Sequence, residues 1–96
     1  SFAFIGVLFQ HQKTSTSNNT RSMTEVHEQI QETIRYLKFN PKDGSALKSL
    51  GALYKEAGLY KEAVSAYVSA SRELPGDREI QRAFIDLRAR GHAPSN

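Results

Sequence analysis

Between Gly44 and Asp77 the chain alternates apolar stripes with helix breakers in a way that favours two short helices folded back on each other. Leu47, Leu50, Gly51 and Tyr54 fall on one face at helical spacing, and Gly58 follows where a helix would end. Tyr60, Ala63, Val64, Tyr67 and Ala70 repeat the pattern before Pro75-Gly76 breaks it. Gly51 and Ala63 are small where two backbones must approach, and Tyr54 and Tyr67 supply ring area to fill the space beside them.

The same periodicity extends outward. Ser22 and Glu25 form a capping box ahead of a helix over 24–39, whose Val26, Ile30, Ile34 and Leu37 share a face. Asn40-Pro41 stops it, because the residue before a proline disfavours the α region. Asp43 is placed to cap a helix over 44–57, a third runs over 60–74, and Asp77 caps a fourth over 78–90. In that fourth helix Ile80, Ala83, Phe84 and Leu87 face inward, and Arg82, Asp86, Arg88 and Arg90 are expected to give a polar outer face. The fold class is therefore all-α, with about four helices.

The order Leu47, Leu50, Gly51, Tyr54, Ala63, Tyr67, Pro75 resembles the tetratricopeptide repeat, W-x₂-L-G-x₂-Y, A-x₃-F and a closing proline. The resemblance covers 44–77, about a third of the chain, and departs from the pattern at Leu47, where the family has Trp. Pro41 lies 34 residues before Pro75, the family period. On either side the repeat degenerates: Gln29 and Thr33 stand at the Ala and aromatic places, and Ile85 and Arg88 at the Gly and Tyr places. The resemblance implies a TPR-like helical hairpin with flanking helices that exposes a groove lined by the first helix of each hairpin. Here that face carries Lys48, Ala52 and Lys55, with Arg82 from the next helix, and Tyr54 offers apolar contact. Lys48 fits the first place of a carboxylate clamp, but Ala52 occupies the place of its Asn. The implied ligand is another protein, as a helix or an extended or C-terminal peptide; the alternative is that these cations only keep the surface soluble. One repeat with two flanking helices buries little core, so self-association or a larger assembly is expected to add stability.

The N-terminus is of another character. Residues 2–9, Phe2 to Phe9, form a solid apolar block, too short for the ~20 residues that span a bilayer. Residues 10–22 are a polar, Ser/Thr/Asn-rich tether, with an N-x-T sequon at Asn18. Two readings stand: a remnant of a membrane anchor, or a segment that packs on the domain or a partner. The resulting organisation is an apolar segment over 1–9, a tether over 10–22, a helical domain over 23–91 and a flexible tail over 92–96. With its anchor, the chain resembles bacterial envelope proteins that assist assembly of larger complexes, cytochrome c maturation factors among them. That resemblance implies a membrane-associated, periplasmic scaffold. The alternatives are a permanent structural subunit of a membrane complex or a cytoplasmic cochaperone-like peptide binder.

Other classes of function find little support. The formal charge is +3, with basic residues scattered rather than clustered, so nucleic-acid binding is not expected. No cysteine is present, which removes thiolate chemistry and disulfides. His11, His27 and His92 show no ligand spacing, and neither a G-x-S-x-G elbow nor a phosphate loop occurs. Catalysis, cofactors and metals are not expected.

Overall fold

A computed structural model describes residues 22–92. Among these residues the chain is all-helical, with no strand: α1 (Met23–Phe39), α2 (Gly44–Glu56), α3 (Tyr60–Glu73) and α4 (Arg78–Ala89). The apolar block over 2–9, the tether over 10–21 with its sequon, and residues 93–96 of the tail lie outside the described residues. No helix among the described residues is long and apolar enough to cross a membrane.

Local chemistry fixes each boundary. Ser22 and Glu25 cap α1 reciprocally, as a capping box requires. Asp43 and Asp77 accept the amides of Ala46 and Ile80, each at 3.0 Å, and so start α2 and α4. α2 and α4 also end alike. The amides of Leu59 and His92 each reach back to a carbonyl, Tyr54 O and Leu87 O, at 2.8 Å. Gly58 at φ 79° and Gly91 at φ 90° make the left-handed step between. His92 therefore does not belong to a fraying tail: its amide closes α4, and its ring lies 5.2 Å from that of Tyr60.

The turns α1–α2 and α3–α4 are copies of one another. Asn40 (φ −139°, ψ 62°) and Leu74 (φ −128°, ψ 68°) end α1 and α3 in nearly the same conformation. Each precedes a proline, which holds it out of the α region. Asp43 N then bonds Asn40 O, and Asp77 N bonds Leu74 O, both at 3.2 Å. The 34-residue interval seen between Pro41 and Pro75 is thus a repeat in backbone geometry.

The helices form antiparallel neighbours around two joined clusters. Ala63, Tyr67, Ala70, Ile80, Ala83 and Leu87 bind α3 to α4, with Leu47 of α2 against them. Val26, Ile30, Leu50, Leu53 and Ala66 bind α1 to α2 and α3. Tyr54 touches both clusters. Burying each large apolar side chain of this kind contributes about 1.5–3 kcal/mol.

α2 and α3 approach most closely where α2 lacks side chains. A β-carbon on Gly51 would stand 2.8 Å from Cδ2 of Tyr67, and one on Gly44 would stand 2.6 Å from Cγ of Leu74. Gly51 and Ala63 are both buried, but the atoms nearest Gly51 belong to the Tyr67 ring rather than to Ala63. Gly44 and Gly51 are seven residues apart and share a face. That spacing is the signal that would have revealed Gly44 from sequence.

Candidate partner-docking groove

α2 and α4 run side by side in the same direction, held by a ladder of ion pairs. The Lys48 ammonium donates to Asp77 at 3.0 Å and to Glu79 at 2.7 Å. One helical stage further on, Lys55 donates to Asp86 at 3.0 Å. Asp86 also receives Arg90 at 3.3 Å, and the Arg90 guanidinium lies 5.5 Å from the centre of the Tyr60 ring. These rungs join residues 29 to 31 positions apart.

Electrostatics follow from the rungs. Glu79 and then Asp77 raise the Lys48 ammonium above its ordinary range. The Lys48 hydrogen bond, helped by the Ile80 amide, holds Asp77 below the usual carboxylate range. Lys55 does the same for Asp86. Burial raises the Tyr67 hydroxyl.

Between the two helices runs an open groove of about 610 Å³. Its floor is made of Ala52, Ala83 and the Tyr67 side chain, and its rim carries Lys48, Lys55 and Arg82 with their acidic neighbours. The structure thus brings Lys48, Ala52, Lys55 and Arg82 to one concavity. Tyr54 does not line it. Its side chain is half-buried between the two core clusters, because its place on α2 points at the junction of three helices. Tyr67, expected only to fill space between helices, supplies the aromatic surface of the groove instead.

The rim differs in one chemical respect from a row of free lysines. Lys48 and Lys55 are already engaged by carboxylates, whereas Arg82 makes no ion pair among the described residues. Asp77 is doubly committed, to the Ile80 amide and to Lys48. Glu79, three-quarters exposed, is bonded to Lys48 only through one carboxylate oxygen. Sequence spacing could not reveal these partners, since they come from across the interval between two helices. Among the described residues no group of histidine and acidic side chains is arranged to hold a metal ion.

No protein-family model, no curated protein and no solved structure matches the chain.

Proposed function

We propose that the protein is a non-catalytic interaction module of tetratricopeptide type, whose α2–α4 groove takes a helix or extended segment of another protein. The observation that carries this reading is the groove itself: small residues leave its floor open while the ion-pair ladder fixes its walls. Support for the repeat assignment comes from the duplicated proline turns, the duplicated glycine helix ends and the 34-residue interval between them. Ala52 and Ala83 admit apolar side chains of a partner against Tyr67. Arg82 offers the charge for an acidic group, and Glu79 is the acceptor most readily displaced from Lys48.

The proposal includes tethering at a membrane through Phe2–Phe9 and a role in assisting or joining a larger complex. Removing residues 1–21 then moves the protein from the membrane to the soluble fraction. Retention at the membrane after that deletion excludes the tether.

A photo-crosslinking residue at Ala52, which is exposed in the groove, should trap the partner, while one at the exposed Lys61 on α3 should not. Ala52→Arg should abolish trapping and leave the thermal midpoint within about 3 °C of the parent, as expected for a surface change. Equal trapping at both positions would remove the groove from the proposal.

A further inference from the structure

α4 carries a stripe that the rest of the chain leaves uncovered. Arg78, Arg82, Ile85 and Arg88 recur at intervals of four, three and three, so they share one face. Ile85 is 64% exposed. None of the three arginines has an ion pair among the described residues, in contrast to Arg90. The expected polar outer face therefore fails in composition: Asp86 and Arg90 turn toward Lys55 and Tyr60, and an apolar residue stands among unpaired cations.

The 34-residue operator says what this face is. It carries Gly44, Lys48, Gly51 and Tyr54 of α2 onto Arg78, Arg82, Ile85 and Arg88 of α4. Those α2 residues are the ones that meet α3 and reach α4. α2 is seated against Ala63 and Tyr67 of α3 and against the start of α4. Shifted back by 34, that seat becomes Gln29 and Thr33 of α1 with the start of α2. There the structure has an open groove of about 430 Å³, bordered by Gln29, Glu32, Thr33, Ser49, Ala52 and Leu53. The chain thus carries a seat without its helix at one side and a helix without its seat at the other.

We propose that a second copy of this chain completes both, with the α4 stripe of one copy lying in the α1–α2 groove of the next. Charge complementarity selects this occupant. The stripe brings three unpaired arginines, and the seat offers Glu32 at its side and Asp43 at its end. Within the chain Lys48 meets Asp77; the operator makes Arg82 and the next copy's Asp43 the corresponding pair. Asp43 is ready for it, since one oxygen caps α2 as Asp77 caps α4. Its other oxygen holds the Tyr36 hydroxyl where Asp77 holds Lys48. A carboxylate oxygen can accept from both donors. The contact is head-to-tail, so it extends copy after copy instead of closing as a dimer. It is independent of what occupies the α2–α4 groove.

Sedimentation and light scattering across about 1 µM to about 1 mM, the range of weak interfaces, test the proposal. The mass of the full chain should rise with concentration and fall back with added salt, as exposed ion pairs are screened. Ile85→Glu blocks the stripe, and Glu32→Arg reverses the seat; both positions are exposed, and circular dichroism melts should show both variants folded. Each alone should remain monomeric, with association weakened tenfold or more. Mixed in equal amounts, they should form a heterodimer of finite size, because the intact stripe of one fits the intact seat of the other. A full chain that stays monomeric throughout overturns the proposal, as does a mixture that stays monomeric. It is equally overturned if deleting residues 1–21 is what first permits association, since the N-terminal segment would then be the occupant of the seat.

Discussion

α3 and α1 leave the same kind of turn and meet the same helix, α2, from opposite sides, yet they bury different amounts of their surface. The positions α3 turns toward α2 and α4 are Ala63, Tyr67 and Ala70, all between 0% and 5% exposed. Their counterparts on α1, 34 residues earlier, are Gln29, Thr33 and Tyr36, none of them buried. The backbone geometry of the turn is therefore not what makes a tight hairpin. Small residues opposite a ring make it, and where polar side chains replace them the same backbone leaves an open groove. Copying a fold and copying its interior are separable, which is how one repeat can be closed and its neighbour left available.

Truncation should expose this difference most strongly. Tyr67→Ala removes a buried ring from the junction of α2, α3 and α4 and should cost about 3–4 kcal/mol. Thr33→Ala, at the matching place on α1, should cost less than about 1 kcal/mol, since Thr33 is half-exposed and its hydroxyl only donates back to Gln29 O. Chemical denaturation of the two variants decides the matter. Similar costs would mean that the α1 side is as tightly packed as the α3 side.

The glycines sharpen the same contrast at a smaller scale. Gly51→Ala should destabilise by about 1–3 kcal/mol, because its β-carbon meets the Tyr67 ring and the ring must shift. Ile85→Ala, the counterpart on α4, should lie within about 0.5 kcal/mol of the parent at concentrations where the protein is monomeric. Tyr54 gives the intermediate case. Tyr54→Ala should lower stability by about 2 kcal/mol, because the ring is packed against both clusters rather than displayed to a partner. If that variant instead melts like the parent, Tyr54 belongs with the surface residues after all.

The elements of the fold were legible in the sequence because their causes are local. Ser22, Asp43 and Asp77 cap helices through side chains that reach only three residues ahead, and Asn40-Pro41 and Leu74-Pro75 stop helices through clashes with the next residue. What faces what was less legible. Gly51 was visible as a close approach, but Tyr67 as its neighbour required knowing how far one helix slides along the other. Gly44 and Ala66 escaped notice because neither belongs to the quoted repeat pattern. In the groove, Lys48 and Lys55 could be placed on one face by spacing alone. That Asp77, Glu79 and Asp86 neutralise them could not, since those pairs join helices separated by a third one in the chain. The Arg78–Arg88 stripe was obscured for a related reason: Asp86 and Arg90 look like part of it until their partners are known.

Acid sensitivity should separate the two proline turns by the smallest margin. Asp43 and Asp77 both have pKa values below the ordinary aspartate range, Asp43 chiefly through the Tyr36 hydroxyl and Asp77 chiefly through Lys48. A depressed folded value means that the stabilisation is present above the unfolded pKa of ~3.9 and is lost as pH falls through the folded value. Stability should therefore be flat from neutral pH down to about pH 5 and decline below about pH 4. Asn can still cap a helix, so Asp43→Asn and Asp77→Asn isolate the titration from the cap. Each should flatten the decline in thermal midpoint between about pH 4 and about pH 2. Added salt should weaken the Asp77 contribution more, because a charged partner is screened and a neutral hydroxyl is not. If salt moves both variants equally, Asp43 must also be meeting a cation, and the arginine stripe of a second copy is the cation the repeat places beside it.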